Sequence, residues 1–228
     1  MSDQIPHGAP DWADEAEQRL LDAAIPLAAT TGWNPALIAA AGRKAGLSLG
    51  EAQLLLPNGA RDLAALLSRR HDQAAMQALA GTDPATLKIR ARISQGVEAR
   101  LDAAAADLEA AKRWAAFLAL PPNAPLGLRL AWDSADGLWR WAGDAATDEN
   151  HYSKRAILAG ILISTLAVRL SAGREAASAQ LAARIDNVMA FEKWKATRKP
   201  TTFGRELAER LGALRYGRLA SSPEAAAD

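Results

Sequence analysis

The residues best able to do chemistry crowd into one polar stretch, Asp144–Arg155, set between a tryptophan-rich segment and a long apolar one. Asp144, Asp148 and His151 follow at intervals of four and three, so Asp148 and His151 share a face if the stretch is helical. Two carboxylates and an imidazole suggest a metal, but a metal site needs at least three ligands in defined geometry. Helical di-iron sites use Glu-x-x-His motifs. The chain has no such motif, and Glu149 and His151, two residues apart, face away from each other. The other histidines, His7 and His71, have no obvious ligand partners. Ser153 lies near His151, but without the Gly-x-Ser-x-Gly turn that exposes a nucleophile. Cysteine is absent, which removes disulfides, thiolate metal sites and a cysteine nucleophile. No catalytic residue, metal ligand or cofactor site is assigned.

Simpler roles fit the same residues. Asp148 suits a helix N-cap, and Lys154 and Arg155 suit a solvated face. His151 and Tyr152 read equally well as ordinary surface or as aromatic anchors of an interface. Composition leaves both readings open.

The elements that must carry this stretch are helical. Half of the 228 residues are hydrophobic, much of that alanine, and apolar positions recur every three to four residues, which predicts an all-α fold. The formal charge is only +1 and names no partner. Its distribution is uneven, with Asp3, Asp11, Asp14, Glu15, Glu17 and Asp22 in an acidic head and eight Lys or Arg across Lys193–Arg218. No secretory or transit pattern opens the chain, and the longest apolar run, Ala156–Val168, is short for a bilayer span. A cytosolic protein is the expectation.

A disordered head over 1–12 precedes a first helix near Asp14–Thr30. Asn34 and Pro35 start a second helix that Gly46 ends, and Ser48 caps a short third, "LGEAQLLL". A longer fourth helix completes 13–80. This pattern resembles the DNA-binding end of TetR-type regulators. Its third helix, however, offers one Gln, one Glu and four Leu where a reader of base edges needs Lys, Arg, Asn or Gln. Nucleic acid is therefore not an expected partner, and a TetR-type transcriptional regulator is the alternative reading.

Residues 81–198 read as a second helical domain. Pro84 marks a helix start, "PPNAP" is a break, and Leu128, Trp132, Ala135, Trp139 and Ala142 form one predicted face of the next helix, which Gly143 stops. From Ala156 the following helix is apolar all round and is predicted to be buried. A further helix covers roughly Ala176–Trp194. Over 199–218, Phe203, Leu207, Leu211 and Leu214 form an apolar stripe behind the basic Lys193, Lys195, Arg198 and Lys199. That pattern fits a membrane-surface helix, or one packed on its own domain or on a dimer partner. Residues 219–228 read as a disordered tail.

The block "GLWRWAGDAATDENHYSKRAILAGILISTLAVRL", with "GWNPALIAAAGRKAGLS" and "FLALPPNAPLGL" upstream, resembles the coenzyme Q protein nine family of ubiquinone-biosynthesis accessory proteins. The similarity runs from about Glu17 to Tyr216. It implies a TetR-like all-α fold that no longer binds DNA, a lipid pocket in the second domain for an isoprenoid quinone or phospholipid, and a C-terminal amphipathic helix on the membrane. It also implies docking to the di-iron demethoxyubiquinone hydroxylase through a patch that corresponds to Asp148, His151, Tyr152 and Arg155. Better-known members carry Trp at His151 and Arg at Lys154.

An apolar cavity with an entrance is the physical requirement for such a pocket. Candidate lining residues are Trp114, Phe117, Leu118, Trp132, Trp139, Leu158, Ile161, Leu162 and Thr165, each equally a candidate for ordinary core. The resulting expectation is a non-catalytic lipid-binding protein, peripheral on the inner face of a bacterial membrane, with a homodimer as an open alternative to a single chain. An enzyme in its own right is disfavoured by the missing constellation.

Overall fold

Local capping sets the first helices. The structure, a computed structural model, describes residues 12–144 and 149–197. Helix α1 (Trp12–Thr31) precedes α2 (Pro35–Lys44), where the Asn34 side chain accepts the Leu37 N–H and Pro35 occupies the first turn. Ser48 caps α3 (Leu49–Leu55) with a full capping box, since Glu51 returns a bond to the Ser48 N–H. Helix α4 (Ala60–Leu79) follows. Leu20, Leu21, Leu37, Leu63 and Leu67 are buried together with alanines, which let these helices approach closely. Trp33 belongs to the same core and donates its indole N–H to the Ala60 carbonyl at 2.9 Å, joining the α2 entry to the start of α4.

Pro84 opens only a 3-10 turn (Pro84–Thr86), and α5 (Ile89–Ala105) begins three residues later. The "LDAAA" segment completes α5. The break falls at Ala106–Asp107, before α6 (Leu108–Ala119). Helix α7 (Ala124–Trp141) starts after the expected Pro-rich break and ends at Gly143, whose φ of 85° is the left-handed conformation a helix stop requires. The Asp144 N–H reaches back to the Trp139 carbonyl and the Gly143 N–H to Arg140, closing the terminus. Where α5 crosses α7, a Cβ on Gly96 would stand 3.0 Å from Leu138 Cδ2, so the two helices meet at a residue without a side chain.

Helix α8 (Glu149–Thr197) is interrupted only at Gly173, which takes φ 88° and ψ −172° between the two helical stretches expected from sequence. Two expectations are corrected here. The buried stripe of α7 is Leu126, Leu130, Ser134, Ala135 and Leu138, whereas Leu128 is 62% exposed and Trp132 and Trp139 are half-buried. The apolar stretch of α8 is not enclosed: Leu158, Ile161, Leu162 and Thr165 are buried, while Ile157 and Ile163 lie open. An all-round apolar sequence cannot show which side meets the domain.

By length and composition alone, His151–Ala190 is also long and apolar enough to cross a membrane, a length the shorter uninterrupted apolar run did not reveal. Its buried face, and ion pairs from Arg155 to Asp136 and from Arg169 to Asp102, hold its first half against α7 and α5. The chain divides into two compact units, Met1–Arg184 and Ile185–Asp228. The first contains α1–α7 and α8 as far as Arg184.

Trp33→Phe removes one indole hydrogen bond and keeps a large ring in place. It should lower stability by about 1 kcal/mol, read from the urea unfolding midpoint.

Candidate functional site

A cavity of about 380 Å³ opens between α4, α5, α6, α7 and the middle of α8. Its walls are apolar: Trp114, Ala115 and Leu118 from α6, Leu130 and Ala131 from α7, Leu162 and Leu166 from α8. Trp114 is held by its indole N–H, which donates to the Ala64 carbonyl at 2.9 Å, so α6 is anchored directly to α4. The edge of its ring meets His71 at 5.5 Å and 89°. Burial, with Arg100 and Arg70 nearby, pushes the His71 pKa down to about 3, so this histidine is a neutral core ring at physiological pH.

Three polar side chains also line the cavity, and all are buried: Ser68, Arg100 and Ser134. Arg100 Nε donates to Asp72 Oδ1 at 2.5 Å and its Nη2 to Ser68 Oγ at 3.3 Å. Ser134 Oγ donates to the same Asp72 oxygen at 2.7 Å. These residues were missed in the sequence, although a signal existed. Arg100 sits among Val97, Leu101 and Ala104, and Ser134 beside Leu130 and Leu138, so each is a polar residue on a buried helical stripe.

Of the nine expected lining residues, Trp114, Leu118 and Leu162 meet in the cavity. The other six lie outside its lining. Leu158, Ile161 and the fully buried Thr165 are core, and Phe117 packs on the N-terminal cluster. Trp132 and Trp139 turn towards the start of α8. Trp132 lies 6.3 Å from the Tyr152 ring, and the Trp139 indole donates to the Lys154 carbonyl at 3.1 Å with the Lys154 ammonium 5.4 Å from its ring centre. Reading α7 by the wrong apolar stripe misplaced both tryptophans.

The second feature is the surface those tryptophans support. Tyr152 is 65% exposed, and the half-buried His151 meets it edge-on at 5.2 Å. Arg155, read from sequence on a solvated face, is only 2% exposed. It donates to Asp136 at 2.5 Å, to Asp144 at 3.1 Å and to the His151 carbonyl at 3.2 Å. Lys154 adds a second bond to Asp144 at 2.7 Å. Burial opposes ionisation of both carboxyls, but the hydrogen bonds and charges of Arg155 with Arg140 (on Asp136) or Lys154 (on Asp144) hold both below the usual carboxylate range. Arg155 thus braces the Tyr152 surface from beneath. Asp148, and the tail residues Phe203, Leu207, Leu211 and Leu214, lie outside the described residues. Among the described residues, no three His, Asp or Glu side chains are grouped to hold a metal.

Similarity to known proteins falls on these same elements. The COQ9 family model matches residues 124–192, which cover α7 and nearly all of α8. The bovine protein named "Ubiquinone biosynthesis protein COQ9, mitochondrial" is 30% identical over 158 residues, 67% of this chain and 50% of the relative. The rat protein of that name gives 30% over 158 residues, covering 67% of this chain and 51% of the relative, and the human one 28% over 158 residues, covering 67% and 50%. The chain spans about half the length of the curated relatives it matches.

Arg155→Met leaves Asp136 and Asp144 without their buried partner. It should cost roughly 3 kcal/mol at pH 7 by chemical denaturation. Because the two carboxyls titrate low in the folded protein, the stabilisation is complete above their unfolded pKa of about 4 and is lost as the pH falls through the lowered folded values. The gap between wild type and variant should therefore close in acid. A gap that stayed constant down to pH 2 would contradict the ionic origin.

Proposed function

The chain belongs to the COQ9 family, and on that premise we propose that it is a non-catalytic accessory protein of ubiquinone biosynthesis. In this reading it holds an isoprenoid quinone intermediate or a phospholipid in the α4–α8 cavity and presents substrate to the di-iron demethoxyubiquinone hydroxylase. The hydroxylation belongs to that partner. The observation that carries the reading is the cavity itself. Its volume of about 380 Å³ lies within the range of small-molecule sites, and its walls are apolar. Leu128 and Ile163 line it while remaining exposed, which gives hydrocarbon an apolar way in.

The outward face of α3 favours this reading over a DNA-binding regulator. It presents Leu49 and Leu54, 66% and 73% exposed, and neither can read a base edge or hold a phosphate. The hydroxylase is assigned to the surface of Tyr152 and His151, with Arg155 below and with Asp148, three residues before His151 in the sequence. An exposed tyrosine seated on a second aromatic ring has the character of an interface anchor. The stripe Phe203–Leu214 with its basic flank is assigned to an anionic membrane surface. Relatives bear mitochondrial names; in a bacterium the corresponding place is the inner face of the cytoplasmic membrane.

Native mass spectrometry of the purified chain with solvent extraction should reveal a bound quinone-like lipid or phospholipid. Ala131→Phe, which fills the cavity, should reduce that occupancy at least fivefold. An empty wild-type chain would refute the lipid role.

Tyr152→Asp should weaken hydroxylase binding tenfold or more in a pull-down titration while leaving bound lipid unchanged. Truncation after Pro200 should abolish flotation with anionic liposomes, and undiminished flotation would rule out the tail as the anchor.

A further inference from the structure

The polar groups of the α4–α8 cavity are not scattered over its walls. Ser68, Arg100 and Ser134 are 1%, 5% and 5% exposed, whereas Leu128 and Ile163, which line the same cavity, are 62% and 44% exposed. The polar groups therefore form a buried floor among the equally buried Leu101, Trp114, Leu130 and Leu162, away from the exposed Leu128 and Ile163. A detergent-like ligand entering tail first would bury its chain against charge and leave its polar end among leucines. The placement of the polar groups favours the opposite orientation.

Resting on the lipid-binding reading above, we propose that the cavity takes an amphiphile head first. A neutral oxygen acceptor, such as a ring carbonyl or hydroxyl, docks on Arg100 and Ser68, and the hydrocarbon tail leaves between Leu128 and Ile163. The floor has donors to give. Arg100 has five N–H groups; Nε serves Asp72 and Nη2 serves Ser68, while Nη1 makes no hydrogen bond to a described residue. Ser68 accepts from Arg100, so its own O–H remains available as a donor.

Charge decides between a neutral head and an anion. Asp72 already neutralises Arg100 at 2.5 Å and also takes the Ser134 hydroxyl, and the neighbouring His71 is neutral. A carboxylate or phosphate would bring an uncompensated negative charge close to Asp72 in a low-dielectric pocket. A neutral acceptor meets unused N–H and O–H groups at no such cost. Size agrees with the orientation: about 380 Å³ is near the small end of ligand sites, so a long polyprenyl chain has to lie mostly outside.

The test uses the full chain and three probes with similar tails: a decyl-substituted benzoquinone, decylbenzene and undecanoic acid. Native mass spectrometry titrations should show the quinone bound at least tenfold tighter than either of the others. In the double variant Ser68→Ala, Ser134→Ala the preference over decylbenzene should fall to within threefold. Arg100→Met should do the same, and the serine variant keeps the question answerable if that substitution unfolds the protein. A decyl benzoquinone carrying a diazirine at its tail end should, on illumination, label Leu128 or Ile163. Labelling of Arg100, Ser134 or Leu101 would overturn the head-first orientation. Equal binding of quinone and decylbenzene, or tighter binding of undecanoate, would overturn recognition of a neutral oxygen while leaving the lipid cavity intact. No bound probe and no label in the cavity would remove the lipid-binding reading itself.

Discussion

The burial of Trp114 is the constraint around which the first unit is arranged. An indole ring deep in a helical domain must satisfy its N–H, and here it does so on the Ala64 carbonyl. That single bond fixes α6 against α4. One part of the ring then belongs to the core shared with α1, α2 and α3, while another forms a wall of the cavity. His71 fills the space at its edge and stays uncharged because charging it there would be costly. The N-terminal helices are consequently more than an inherited appendage. They provide the packing that keeps one wall of the cavity in place.

At the start of α8 the stabilising logic is ionic. Arg155 is a long cationic side chain taken out of water, and it is tolerated there because two carboxylates from α7 and its C-terminal turn surround it. Asp144 reaches Arg155 because Gly143 reverses the chain with a positive φ at the end of α7. Removing the reversal, the arginine or either acid would undo the same corner. The aromatic surface of Tyr152 and Trp132 lies on that corner and owes its shape to it.

Much of this could be read from the chain alone, for identifiable reasons. Asn34, Pro35, Ser48 and Gly143 act within a few residues of themselves, so their cap and stop roles were legible. The pairing of His151 with Tyr152 was legible as well, because the two are neighbours in sequence, whereas their support by Trp132, 20 residues away, was not. Long-range choices were not. Helix α7 carries two apolar stripes, one through Leu128, Trp132 and Trp139 and one through Leu126, Leu130 and Leu138, and only tertiary packing selects the second for burial. The burial of Arg155 depends on Asp136, 19 residues away, and the polar floor joins Ser68, Arg100 and Ser134 from three helices through Asp72. No local period encodes such meetings.

The cavity and the aromatic surface share two helices, and this has a mechanical consequence. Tyr152 and Ile163 are eleven residues apart on α8, roughly 16 Å at the helical rise. No residue between them departs from helical geometry, since the only such interruption is at Gly173, beyond both. Arg155 ties this stretch to α7 near one end and Arg169 ties it to Asp102 of α5 near the other. A rigid rod pinned at two points cannot bend freely between them. A partner that shifted the Tyr152 end would therefore move Ile163 at the cavity mouth, or break the Arg155 pairs. Because those pairs are buried and costly to leave half-satisfied, this stretch of α8 is held to α7 and moves with it rather than away from it. The surface around Tyr152 and the mouth of the cavity are thereby joined through one helix.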